Sequence, residues 1–133
     1  MLNENRVKNV MDKLDCGQLL ITDPLSVYYL TGKMIYPGER FFGLLLRNDK
    51  KPVMYVNELF RFDEELNVDK KYIKDTDNIA EVVGKDTDHN EVLGVDKIME
   101  ARFLLPFMES GIAKNFVNGS LAVDHTRAIK EAE

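Results

Sequence analysis

The 133-residue chain carries 18 lysines and arginines against 23 aspartates and glutamates, a formal charge of −5, with 44% hydrophobic residues. That balance is of one ordinary globular domain with a single core, and it excludes disordered and fibrous classes. Its negative field repels phosphate backbones, and its apolar runs, such as residues 41–46, fall far short of the roughly 20 residues that cross a bilayer, so neither nucleic acid nor a membrane is an expected partner.

The opening residues, MLNENRVKNV, lack the basic start, apolar core and small-residue cleavage site of a secretory signal, which predicts a cytoplasmic protein. Val7, Val10, Met11 and Leu14 repeat at i, i+3, i+4 and i+7 and predict a first helix with one apolar face. Cys16 has no disulfide partner and no neighbour suited to activating a thiol, and reads as a reduced bystander. The short run QLLIT, residues 18–22, predicts a central strand buried on both faces.

Asp23 can cap a helix, Pro24 presets its first turn and Gly32 can take a left-handed stop, so residues 24–31 are expected to be a short helix. FFGLLLR (41–47) and PVMYV (52–56) flank NDKK and predict a β-hairpin. Leu59, Phe62 and Leu66 then fall on a helical spacing. KYIKD (71–75) predicts a strand, NIAEVVG (78–84) a short helix and EVLGVDK (91–97) a buried strand. IMEARFLLPFMES reads as a helix that Pro106 bends or limits, KNFVN (114–118) as a last strand, and LAVDHTRAIKEAE as a closing helix. That helix reaches the final residue with no stop signal, so the chain is expected to continue. Strands alternating with helices, plus one hairpin, predict an α/β layered fold with a mixed sheet.

Several groups invite a chemical reading. Asp86 to His89 could attract a hard cation, but the glycine and distal glutamate of a calcium loop are missing and a solvated turn is the preferred reading. Asp124 and His125 are neighbours about 100° apart on a helix and do not face one another. Asp63, Glu64 and Glu65 read as the solvated face of a charged helix. No glycine-rich phosphate loop is present. In Tyr36-Pro37-Gly38-Glu39-Arg40, proline and glycine predict an exposed turn that presents a glutamate suited to an ammonium group and an arginine suited to a carboxylate; an ordinary surface ion pair is the plainer alternative. Of the adjacent Tyr28 and Tyr29, only one can enter the core, and the other is free to line a cleft or interface or simply to half-cover the sheet.

Read together, Thr22-Asp23-Pro24, Tyr28-Tyr29-Leu30-Thr31-Gly32, Gly38-Glu39-Arg40, Gly94-Val95-Asp96 and the closing Arg127-Ala128-Ile129-Lys130-x-x-Glu133 resemble the creatinase/prolidase N-terminal domain, the non-catalytic front part of Xaa-Pro dipeptidases and aminopeptidases. The resemblance implies a three-layer α/β/α domain with a mixed, ribonuclease-H-like sheet over residues 1–119, and a helix at 120–133 leading to a C-terminal "pita-bread" metallopeptidase domain. It implies a homodimer in which Tyr36, Gly38, Glu39 and Arg40 form a substrate-gating loop beside the partner's entrance. The parent's substrates would be proline-containing peptides, hydrolysed by two divalent ions, manganese or cobalt, held outside these 133 residues. No catalytic or metal-binding residue carries over to this chain, which alone is expected to be inert. A stand-alone binding module with the same fold is the alternative.

Overall fold

The computed structural model describes the backbone of residues 1–132 and the side chains of residues 1–127. Ala128, Ile129, Lys130 and Glu133 of the closing motif therefore have side chains outside the described residues. Asn3 opens helix α1 (Glu4–Asp12), its side chain accepting from the Arg6 amide at 3.1 Å. Strand β1 (Gln18–Ile21) is buried along its whole length. Helix α2 (Pro24–Thr31) is bounded as its residues dictate: Asp23 accepts from the Leu25 amide, Pro24 fills the first turn, and Gly32 closes it at φ 76°.

The hairpin is β2 (Gly43–Arg47) and β3 (Lys50–Asn57). Its turn is tighter than the four residues NDKK suggest, because Arg47 already pairs with Lys50 and both lysines belong to β3. Asp49 folds back on the Arg47 guanidinium at 3.0 Å and closes the remaining link.

The helical spacing of Leu59, Phe62 and Leu66 is misleading. Only Glu58–Phe60 forms a helical turn, of the 3-10 kind, and Arg61 returns to extended backbone at ψ 141°. Lys70 Nζ donates to the carbonyls of Phe62 and Glu64 at 3.2 and 2.6 Å, and Tyr72 Oη donates to Phe62 O at 3.0 Å. These bonds from the following strand take carbonyls that a helix would use. Asp63, Glu64 and Glu65 are solvated as expected, but on an irregular segment; Glu64 meets Lys33 at 2.6 Å.

Strand β4 (Asp69–Ile73), helix α3 (Ile79–Gly84), strand β5 (Val92–Val95), helix α4 (Ala101–Glu109), strand β6 (Asn115–Asn118) and helix α5 (Ser120–Ala132) complete the chain. Helix α4 passes through Pro106 and continues to Glu109.

The six strands form one sheet in the order β4-β3-β2-β1-β5-β6. β2 is antiparallel to both its neighbours and every other pairing is parallel, so β2 alone runs against the rest. Alternation along β1 divides the core: Leu19 and Ile21 meet Val10, Val27, Leu30 and Val123 from α1, α2 and α5, whereas Leu20 meets Val83 and Phe107 from α3 and α4. Helices thus cover both faces, the three-layer arrangement expected of parallel strands.

Ending β5, Asp96 is buried and accepts three hydrogen bonds from the end of β1: Thr22 N at 2.8 Å, Thr22 Oγ1 at 2.7 Å and Asp23 N at 2.7 Å. Removing the carboxylate strands two amides in a site with little water. Asp96→Ala is expected to destabilise the chain by about 2–4 kcal/mol, and Thr22→Val, which loses only the hydroxyl bond, by about 1 kcal/mol; the urea midpoints of the two variants check the order.

Candidate functional site

Because five of the six strands point the same way, their carboxyl ends gather polar residues along one edge of the sheet, the usual place for a site in an open α/β fold. Thr22 and Asp23 follow β1, Asn57 ends β3, Asp75 follows β4 and Asp96 follows β5. The segment entering β2 comes to the same edge and carries the turn Pro37 to Arg40.

Gly38 takes φ +61° with open space around the position of a Cβ, so the backbone angle is what asks for glycine there. The turn closes by Arg40 N donating to Pro37 O at 3.1 Å. Both flanks are then clamped. On one side Arg40 lays its guanidinium on Asp75, Nε to Oδ1 at 3.2 Å and Nη2 to Oδ2 at 3.4 Å, and Asn57 Nδ2 donates to the same Oδ1 at 2.8 Å. On the other, the Arg102 guanidinium of α4 donates to the Glu39 carbonyl and also pairs with Glu100.

Immediately after the turn, Phe41 is buried edge-on against Phe103 and Phe107, ring centres 5.1 and 5.7 Å apart, an arrangement that fixes the loop to α4. Between turn and helices lies a cavity of about 230 Å³, lined by Thr22, Pro24, Gly38, Arg40, Phe42 and Ile98 among others. Its floor is apolar and its rim charged. Glu39 forms no ion pair among the described residues, and Tyr36 is 80% exposed. The plainer reading of a surface ion pair thus applies to Arg40, whose partner is Asp75 at 3.2 Å.

The two tyrosines of α2 lie elsewhere. Tyr29 packs against the core and Tyr28 is half exposed, and both line a second cleft with Arg6 and Arg127. The structure therefore brings Tyr36, Gly38, Glu39 and Arg40 together and leaves Tyr28 and Tyr29 apart from them. The contributions of Asn57, Asp75 and Arg102 had no local signature, since each acts on a residue distant in sequence; Asp96 was marked only as part of the Gly94-Val95-Asp96 motif, without its role.

The remaining candidates are engaged in holding the fold. Asp86 accepts from the buried Tyr55 hydroxyl at 2.6 Å and from Lys71 at 2.7 Å; burial, and then this carboxylate, raise the Tyr55 pKa and keep the phenol protonated. His89 Nε2 lies 2.6 Å from the Gly84 carbonyl. Asp124 pairs with Lys97 at 2.9 Å while His125 points to solvent. Cys16 is half-buried, and burial raises its thiol pKa, the direction of an unreactive thiol. Among the described residues no three of His, Cys, Asp and Glu are grouped so as to hold a metal ion, and no helix is long and apolar enough to cross a membrane.

Comparison with known proteins places this geometry in context. Residues 5–129 match the family model described as the creatinase/prolidase N-terminal domain. An uncharacterised peptidase of Staphylococcus epidermidis is 34% identical over 55 residues, 41% of this chain but only 16% of that protein's length. A proline dipeptidase structure from Streptococcus pneumoniae superposes with a TM-score of 0.80 at 17% identity, covering 97% of this chain and 99% of that one. The prolidase of Pyrococcus horikoshii gives 0.69 at 24% identity, covering 91% of this chain and 34% of its own. At such identities the two structures establish the shared fold.

The two aspartates at this edge titrate in opposite directions. Arg40, and after it Asn57, hold the Asp75 carboxyl below the usual carboxylate range; burial pushes Asp96 above it despite the donors from Thr22 and Asp23. Asp75 therefore adds stability that is in place above pH 3.8 and is lost as pH falls through its folded value, whereas the contribution of Asp96 is complete below pH 3.8 and is lost as pH rises through its folded value. Carboxyl carbon NMR is expected to place the two midpoints on opposite sides of 3.8, and Arg40→Gln to raise that of Asp75 while leaving Asp96 in place.

Proposed function

This chain belongs to the creatinase/prolidase N-terminal domain family, and on that premise we propose that it is the non-catalytic front domain of a cytoplasmic Xaa-Pro dipeptidase or aminopeptidase, serving dimerisation and substrate gating. The solved relatives named as proline dipeptidase and prolidase support this reading. In it, metal-dependent hydrolysis of the Xaa-Pro bond is the work of a following domain. Among the described residues the donors do not fit a two-metal centre, since Asp86 and His89 are committed to Tyr55, Lys71 and the Gly84 carbonyl.

The observation that carries the gating role is the turn's construction. Its backbone is held from both sides, by Asp75 through Arg40 and by Arg102 through the Glu39 carbonyl, while the Glu39 carboxylate stays clear of ion pairs among the described residues. A backbone fixed in place lowers the ordering cost of presenting the Glu39 charge to a ligand, although the exposed side chain itself still has to be ordered. Glu39 accordingly meets the α-ammonium of an incoming peptide at the partner's entrance, Arg40 positions the turn, and the apolar floor of the neighbouring cavity tolerates a range of side chains.

The test is made in the protein encoded by the complete reading frame. Arg40→Glu, which reverses the charge and repels Asp75, and Glu39→Gln are each expected to raise KM for dipeptides by about two- to fivefold, the scale of an exposed charge pair, with kcat and bound metal unchanged. Unchanged kinetics for every dipeptide would remove the gating role. A reading frame without a peptidase domain would instead favour a stand-alone binding module built on the same turn.

A further inference from the structure

The sheet ends in two edges of opposite character. At β4, Lys70 and Lys71 stand on the strand, and the preceding segment is bound back onto it by Lys70 Nζ and Tyr72 Oη, which donate to the Phe62 and Glu64 carbonyls. Lysines and a covering segment are usual guards of a strand edge. At β6, Asn115-Phe116-Val117-Asn118 carries no charge in a chain of formal charge −5, no proline, and no strand on its outer side among the described residues. Val117 is 42% exposed. Helix α5 follows at once and lies over α1 and α2, where Thr126 meets Lys13 and Tyr29; it is helical to Ala132, so its described backbone does not extend the sheet.

The pairing of β6 with β5 fixes which of its groups face out. Lys114 N donates to Glu91 O at 2.9 Å, and Phe116 stands opposite Leu93. Successive residues of a strand turn their amides and carbonyls to opposite sides, so Lys114 and Phe116 address β5 while Asn115 and Val117 address the outside. The Phe116 side chain points to the face covered by α4, where it packs with Leu104 against that core, and on the same helix Leu105 and Met108 remain half exposed.

An antiparallel strand laid on this edge must bond through Asn115 and Val117, and a second copy meets that condition on both sides at once. A two-fold axis at Phe116 sets Asn115 of one protomer opposite Val117 of its partner as hydrogen-bonded pairs, Phe116 opposite its own copy as the closer non-bonded pair, and Lys114 opposite Asn118, so that no like charges meet. An axis between Phe116 and Val117 would set outward groups against inward ones, and centring on Phe116 is the register that uses both outward residues of each strand. We infer that β6 is a docking edge for a second copy of this chain, paired antiparallel about an axis at Phe116 to join two sheets into one. The inference gives the dimerisation of the proposed function a place and rests on that reading only for the expectation of two copies; the Pro37–Arg40 turn takes no part. With four residues per strand the contact is small, and the association is expected to be weak.

Sedimentation velocity of the 133-residue chain, run from about 5 µM to about 1 mM, is expected to show a monomer–dimer equilibrium, and hydrogen exchange to show the Asn115 and Val117 amides gaining protection with concentration. Val117→Pro removes an outward N–H at no cost in bonds to β5, and is expected to weaken association about tenfold with the circular dichroism unchanged. In a Cys16→Ser background, Phe116→Cys puts a thiol on the axis within reach of its copy, and oxidation is expected to give a disulfide-linked dimer; Val117→Cys, two residues out of step with its copy, is expected to cross-link far more slowly. Should Phe116→Cys fail to fold, amide protection and Val117→Pro still decide. A dimer insensitive to Val117→Pro overturns the inference and leaves dimerisation to another face, and equal cross-linking of the two cysteines overturns it as well. A monomer at every concentration overturns it too, including one whose two amides are protected only when a following domain is present; the dimerisation reading falls with it only if the product of the complete reading frame is also monomeric.

Discussion

The carboxylate of Asp96 holds together the ends of the two central parallel strands, and most of the site follows from that. It accepts the Thr22 and Asp23 amides and the Thr22 hydroxyl, the first polar groups after β1 leaves the sheet. Asp23, fixed in this way, caps α2, and Thr22 and Pro24 become one wall of the cavity that faces Gly38 and Arg40. A buried negative charge is here surrounded by neutral donors in place of a counter-ion, an arrangement that keeps direction as well as energy.

Across the molecule, the charged residues divide between anchoring and display. Arg40, Arg47, Lys71 and Lys97 are each matched to a carboxylate, and in the first case a neutral amide from Asn57 joins the pair. What remains outward at the turn is negative, in keeping with the chain's overall charge of −5. Phe41, wedged between Phe103 and Phe107, makes the turn an extension of the core, so the exposed tip is mounted on rigid packing. Such a mounting is what the proposed gating role would require of the turn, in a chain that belongs to the creatinase/prolidase N-terminal domain family.

How much of this could be read in advance depended on how far apart the interacting residues lie. Helix α2 was legible because its three determinants, Asp23, Pro24 and Gly32, act within their own turn. β1 was legible because a strand buried on both faces has no polar alternation to disguise it. The stretch after Asn57 was not: Leu59, Phe62 and Leu66 mimic a helical period, but Lys70 and Tyr72 capture the carbonyls of Phe62 and Glu64 from a neighbouring strand, an event invisible to any local pattern. The turn at Gly38 was legible for the same reason as α2, whereas Asp75, 35 residues from Arg40, was a carboxylate among many, and Asp96 stood out only as part of a motif, its partner Thr22 lying 74 residues away.

The antiparallel placement of β2 has a kinetic consequence. β1, β2 and β3 form a continuous meander of near neighbours, with Leu19 opposite Leu46 and Leu44 opposite Met54, and can zip as soon as residue 57 is available. The other flank of β1 must wait for a partner far along the chain, Leu19 pairing with Gly94. Loop closure over that separation is slow relative to hairpin formation, so on a growing polypeptide one half of the sheet assembles first and β1 stands as a bare template until β5 arrives. The flank most exposed to mispairing with another nascent chain is therefore the innermost strand of the finished protein.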